Sequence, residues 1–285
     1  MESWEFGRPV AGYRAEVSGA RAVVLLVHGY GEHAGRYAHV IDALGAAGFS
    51  VFTYDQRGHG RSTGPRALFR MHDLTEDHLA AREWLRQRFP HLPVFALGHS
   101  MGGLVTALSV LRDARSLTGV ILSSPALMVG HDHPPAMKVA ARVLSRVAPS
   151  MQVSAVEDGV LSRREEIGAA FKSDELCYNG RVKALSGFEM MRGGAEVWGR
   201  LGRWHLPTLV IHGDDDRLIT IEGSRRFVRD VPATDKELWE APGGYHELFN
   251  DLDSEKAIRK VTDWLAARVD GVRREPVPSG GAAGR

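Results

Sequence analysis

A single cysteine, Cys177, occurs in 285 residues, so no disulfide can close within the chain. With no Cys/His cluster beside it, the thiol reads as a small buried hydrophobe rather than a nucleophile or a ligand. Excess charge of either sign is missing as well. Lys and Arg number 36 against 35 Asp and Glu, which leaves no basic field to hold a polyphosphate backbone, and no nucleic-acid partner is expected. Long hydrophobic runs are absent: the longest purely apolar stretch, 22–27, falls far short of the roughly 20 residues that cross a bilayer. Residues 1–9 are acidic, aromatic and glycine-bearing. They lack the basic start and apolar centre of a signal peptide, which makes the cytoplasm the expected location.

Glycine, by contrast, is plentiful. There are 32, about a dozen more than the roughly 7 per cent of an average protein would supply. Hydrophobic residues at 44% and charged residues at 25% describe a globular chain, long enough for one large domain with a sizeable core. The apolar residues fall in short β-branched runs separated by helical stretches, the pattern of buried parallel strands joined by crossover helices. Those runs are 22–27, 49–54, 94–97, 120–122 and 209–211, with a more polar candidate at 237–239. Helices are expected over 41–47, 73–88, 102–112 and 254–269, the second opened by Asp73 and Glu76 at capping-box spacing. His72, Asp73, Glu76, Asp77 and His78 crowd that start. His72 and His78 are six apart and face different sides of a helix, so a solvated helix start explains the group better than a metal. A mostly parallel, doubly wound α/β sheet follows.

Residues 126–203 interrupt the rhythm. They hold no clear strand and many charges, and are expected to form a helical cap inserted between the two parts of a core, 1–125 and 204–271. Residues 272–285 read as a disordered tail. Within the insertion Ala136, Ala140, Val143, Leu144 and Val147 line one helical face, and Lys138, Arg142 and Arg146 another. Two readings stay open: an ordinary cap helix packed on the core, or a lid that rests peripherally on a lipid membrane.

The strongest chemical signal is an apolar run, Val94 to Leu97, passing into Gly98-His99-Ser100-Met101-Gly102 and then a helix-compatible stretch. A sharp strand-to-helix turn strains the serine backbone and leaves no room for side chains at the flanking positions, so glycine is needed on both sides. The helix that starts beside Ser100 points free N–H groups at the spot where negative charge develops in acyl transfer. A serine hydroxyl needs a base, and the base needs an orienting carboxylate. Downstream, Asp214, Asp215 and Asp216 follow the 209–211 run, and His246 stands in the glycine turn Gly243-Gly244-Tyr245-His246 after the last strand candidate. His246 is the expected base from its place in Ser, Asp, His order. Spacing alone leaves all three aspartates eligible. The scheme calls for no cofactor and no metal. Asp55 and His59 also follow a strand, but with no nucleophile beside them they read as a structural turn.

These motifs resemble the monoacylglycerol lipase branch of the serine α/β-hydrolases. The likeness rests on His28-Gly29-Tyr30-Gly31-Glu32-His33-Ala34-Gly35-Arg36-Tyr37, on Asp55 to Ser62, on the Gly-His-Ser-Met-Gly-Gly elbow, on Gly213 to Leu218 and on Gly244-Tyr245-His246. The resemblance implies an α/β-hydrolase fold and a small lipid or ester substrate. It implies Asp216 as the acid, since it directly precedes an Arg-Leu pair. It also implies an oxyanion hole made by the N–H groups of Tyr30 and Met101, with Tyr30 standing where relatives often carry a smaller residue. Glu32 and Arg36 match polar neighbours of the site in relatives, either meeting a glycerol hydroxyl or fixing the loop as an ion pair. Rival readings are a lysophospholipase, a short-chain carboxylesterase, an acyltransferase in which an alcohol replaces water, a peptidase and, from another class, a non-catalytic binding protein on the same scaffold.

Overall fold

The computed structural model describes residues 1–154 and 159–274. Its elements in chain order are β1 (Glu2–Trp4), β2 (Gly12–Ala15), β3 (Ala22–Val27), α1 (Ala38–Ala46), β4 (Phe49–Tyr54), α2 (Met71–Arg88), β5 (Val94–His99), α3 (Met101–Arg112) and β6 (Gly119–Ser123). There follow α4 (Pro135–Val147), β7 (Gln152–Ser154), α5 (Glu165–Ser173), β8 (Val182–Lys183), α6 (Ala184–Arg200), β9 (Thr208–Gly213), α7 (Glu222–Asp230), β10 (Lys236–Ala241) and α8 (Ser254–Arg274). An eight-stranded sheet runs in the order β1-β2-β4-β3-β5-β6-β9-β10. Only the β1–β2 and β2–β4 pairings in it are antiparallel.

The reason for the layering lies in the strands. All six residues of β3 are fully buried, and burying each of its five Val and Leu side chains is worth about 1.5–3 kcal/mol. Alternate residues serve opposite faces. Val23, Leu25 and Val27 join a core with Phe52, Leu104 and Leu108, whereas Val24 and Leu26 join another with Ile41, Leu97 and Trp264. From β3 the chain goes to β4 on one side, and β5 then pairs on the other. That reversal opens a crevice at the carboxyl ends of the strands, where α/β sheets bind their ligands. Ser100 stands there, directly after β5.

The structure departs from the sequence reading in several places. The edge strand β1 and its neighbour β2 escaped it because they carry only one buried residue each in their patterns. In the 126–203 segment, expected to lack strands, β7 and β8 form a short antiparallel pair between helices. The expected capping box is not made: α2 begins two residues before Asp73, with Arg70 at the N-cap and no side-chain cap bond. The Met71 N–H instead donates to Glu189 Oε2 of α6 at 2.8 Å. Of the tail expected over 272–285, residues 272–274 continue α8 and the others lie outside the described residues.

Candidate active site

Between the last residue of β5 and the first of α3 there is only Ser100. It holds φ 52° and ψ −116°, a conformation that costs a non-glycine residue on the order of 1–3 kcal/mol. The turn has no space to relax. A Cβ on Gly98 would lie 2.4 Å from the Gly102 carbonyl oxygen, and one on Gly102 would lie 2.3 Å from that of Val27. Backbone bonds hold the strained serine: its N–H donates to Ser123 O at 2.9 Å, and its carbonyl accepts from Ala126 N at 3.0 Å.

The three aspartates after β9 have separate partners. Asp214 Oδ1 accepts from Gly243 N at 2.6 Å, and Asp215 pairs with Arg217 at the surface. Asp216 alone reaches His246: Nδ1 of the ring donates to Asp216 Oδ2 at 2.7 Å, with both side chains almost wholly buried. The same carboxylate accepts from Leu218 N and Ile219 N through Oδ1, at 2.8 and 2.9 Å. Burial by itself would push the Asp216 carboxyl up; the charge of His246 and the hydrogen bonds from His212 and His246 hold it far below the usual carboxylate range. In His246 burial works to lower the imidazole, and Asp216 outweighs it, so the ring titrates above its ordinary 6.5. With Nδ1 donating to the carboxylate, the neutral ring leaves Nε2 as the basic nitrogen.

Several residues that the sequence did not single out complete the arrangement. Ser124, another non-glycine residue with positive φ, at 42°, donates through Oγ to the His246 carbonyl at 2.9 Å. His99 packs its ring 4.8 Å from that of His246, and burial, then the neighbouring His246, push its imidazole down to about 3. It is therefore a neutral neighbour at working pH. His212 Nε2 lies 3.1 Å from Asp216 Oδ2.

On the opposite side, the 28–37 loop brings in the remaining expected residues. The N–H groups of Tyr30 and Met101 donate to no backbone acceptor among the described residues. The Tyr30 ring lies edge-on to His59 and Tyr178, 5.7 and 6.1 Å between centroids. Glu32 and Arg36 sit beside the site with their charges spent on the protein. Glu32 accepts from Gly29 N at 2.5 Å, from Tyr37 Oη at 2.7 Å and from Arg36 at 2.7 Å. Arg36 in turn makes a bidentate pair with Glu247, both contacts at 2.7 Å. Burial would raise the Glu32 carboxyl, but Arg36 brings it down to about 2. Of the two readings of this pair, the geometry matches the fixing of the loop, and it extends that loop to the residue after His246.

One group among the described residues has the donor types of a cation site: His33, Asp174 and Cys177, with ligand atoms within 4.8 Å of one another. It does not fit an ion. His33 Nδ1 accepts the Gly35 N–H at 3.1 Å, so the proton is on Nε2, which donates to Asp174 at 2.8 Å and has no lone pair to offer. Burial pushes the Cys177 thiol up to about 12, far from the thiolate that binds metals.

Ser100 and His246 open onto a cavity of about 1540 Å³ that passes beneath the 126–203 segment, walled by Met137, Leu144, Phe171, Phe188 and Met191. A strained serine after a central strand, with an ionised carboxylate ordering a buried imidazole that opens onto the same cavity, makes this chain a serine hydrolase of the α/β-hydrolase fold. Residues 18–253 match the family described as serine aminopeptidase, S33, and the chain belongs to that family. It is 37% identical over 250 residues to a monoacylglycerol lipase of Mycolicibacterium smegmatis, covering 87% of this chain and 89% of that one. A phospholipase of Bacillus subtilis is 32% identical over 271 residues, covering 92% and 99%. The crystal structure of a monoacylglycerol lipase from Paleococcus ferrophilus superimposes with a TM-score of 0.82 at 30% identity, covering 94% of this chain and 100% of that one.

Proposed function

We propose that this protein hydrolyses the carboxylic ester of a monoacylglycerol, releasing glycerol and a fatty acid through an acyl-enzyme. The observation that carries this reading is the apolar cavity: at about 1540 Å³ it exceeds the roughly 300–1,000 Å³ of most small-ligand pockets, and the strained serine stands on its wall. In this scheme Ser100 attacks the acyl carbonyl while His246 Nε2 takes its proton, and Asp216 holds the ring in that tautomer and stabilises its charged form. The N–H groups of Tyr30 and Met101 receive the oxyanion, each such donor being worth about 3 kcal/mol in the transition state. His246 then protonates the departing glycerol, and water repeats the cycle on the acyl-enzyme.

We read 126–203 as the cap of a core formed by 1–125 and 204–271, since its helices roof the cavity. The lid reading draws support from α4, which exposes Val139, Val143 and Val147 by 63%, 53% and 73%. An apolar strip beside Lys138, Arg142 and Arg146 suits a cytoplasmic enzyme that touches a lipid surface peripherally. Among the described residues no helix is long and apolar enough to cross a membrane.

A second reading, lysophospholipid hydrolysis, is favoured by the similarity to the Bacillus subtilis phospholipase. Turnover across monoacyl-, diacyl- and triacylglycerols, lysophospholipid and short p-nitrophenyl esters separates the two. The monoacylglycerol is expected to lead; a preference for the short esters would sink the assignment. A fluorophosphonate probe is expected to label Ser100, whereas a peptide amide that outpaced every ester would point to peptidase action.

A further inference from the structure

β9 brings two functional groups to the acid turn. Besides Asp216, which follows its end, the strand carries His212, whose side chain is fully buried. Its Nε2 faces two acceptors, Asp216 Oδ2 at 3.1 Å and the Ile219 carbonyl at 3.0 Å. Two acceptors at one ring nitrogen require a proton on it. Nδ1 lies 2.7 Å from Ser224 Oγ of α7, and a hydroxyl suits that partner because it donates to a bare ring nitrogen.

We propose that His212 is a positioning residue for the hydrolysis: its Nε2–H fixes the second oxygen of the Asp216 carboxylate, and Ser224 keeps the ring in the tautomer that does so. The inference rests on Asp216 being the catalytic acid. Leu218 N and Ile219 N anchor Oδ1 only. One anchored oxygen defines a pivot about which the carboxylate swings; two define its plane. The other group on Oδ2 is the His246 ring, which is the ring being placed and so cannot serve as its own reference. His212 supplies that reference from a strand paired on both sides, to β6 and β10. It also ties Asp216 to the Ile219 carbonyl through one nitrogen, closing the acid turn against α7.

The test compares His212→Gln with His212→Met in the full-length enzyme. The two side chains have nearly the same length and volume, and only Gln carries an N–H where Nε2 stood. His212→Met is expected to lose about tenfold to a hundredfold in kcat with KM little changed, the range for a buried hydrogen bond to a charged group. His212→Gln is expected to restore most of that loss. Wild-type kcat in folded His212→Met, or an equal loss in both variants, would overturn the proposal. Should His212→Met fail to fold, imidazole ¹⁵N NMR of the wild-type enzyme decides: a protonated His212 Nε2 supports the proposal and a bare one overturns it. Asp216→Asn, assayed alongside, keeps the two readings apart, because full activity there would refute the acid assignment whatever His212 does.

Discussion

Leu25 of β3 and Val143 of α4 are both apolar residues in regular structure, yet the first is fully buried and the second 53% exposed. The sheet residue belongs to a continuous apolar run sandwiched between two helical layers, so every side chain finds a partner. In α4 the apolar residues spread over more than half of the helix circumference. Met137 and Leu144 reach the cavity, and Val139, Val143 and Val147 are left facing outward. Apolar content in the sheet therefore measures stability, whereas in α4 it measures what the helix can touch.

That contrast can be broken from either side. The largest effect is expected at the carboxyl edge of the sheet. Ser100→Ala should abolish ester turnover by about a millionfold with thermal unfolding essentially unchanged, and Asp216→Asn should cost about ten-thousandfold in kcat. A Ser100→Ala enzyme with wild-type turnover would remove the site from this edge. Next, Leu26→Ala in β3 should destabilise by about 2–5 kcal/mol, while Val143→Ser in α4 stays within about 0.5 kcal/mol, both read from denaturant unfolding. Equal costs would erase the distinction between the regions. Serine at Val139, Val143 and Val147 together should weaken partition onto lipid vesicles by about tenfold or more, with hydrolysis of a soluble ester unaltered. Unchanged partition would make α4 an ordinary cap helix.

The smallest effect is a displacement along the pH axis. In the proposed scheme His246 must be neutral to take the Ser100 proton, and Asp216 raises the ring above its ordinary value against the pull of burial. Activity should therefore fall with decreasing pH through a midpoint higher than 6.5, and Asp216→Asn should move that midpoint down. A limb of kcat/KM at or below the ordinary histidine value would contradict the coupling. The corresponding stability has the opposite sense: favouring the imidazolium adds stability that is complete below the ordinary value and is lost as pH rises through the folded one.

What the sequence disclosed depended on how far each residue's partners lie along the chain. β3 and β4 were readable to the residue because six consecutive buried positions leave a local mark. Ser100 was readable because its constraints, Gly98 and Gly102, are two residues away. The start of α2 was not, since the group that caps Met71 comes from Glu189, 118 positions later. Asp214, Asp215 and Asp216 could not be told apart by spacing, because what separates them is Gly243, Arg217 and His246. Ser124 and Glu247 left no motif at all: one meets the His246 carbonyl 122 residues on, and the other meets Arg36 211 residues back.

Gly213 and Gly244 meet at the far end of the site. A Cβ on Gly213 would fall 2.1 Å from the Gly244 carbonyl oxygen, so the strand that leads to Asp216 and the turn that leads to His246 pack main chain against main chain at this point. Their separation here is set by backbone van der Waals contact and by the hydrogen bond from Asp215 N to the Gly244 carbonyl at 3.1 Å. A lineage can therefore rework its packing layers, one substitution at a time, without moving the acid relative to the base. The tolerance ends at Gly213, where the first added methyl group would press on the main chain of Gly244 and Tyr245 and drive the two turns apart.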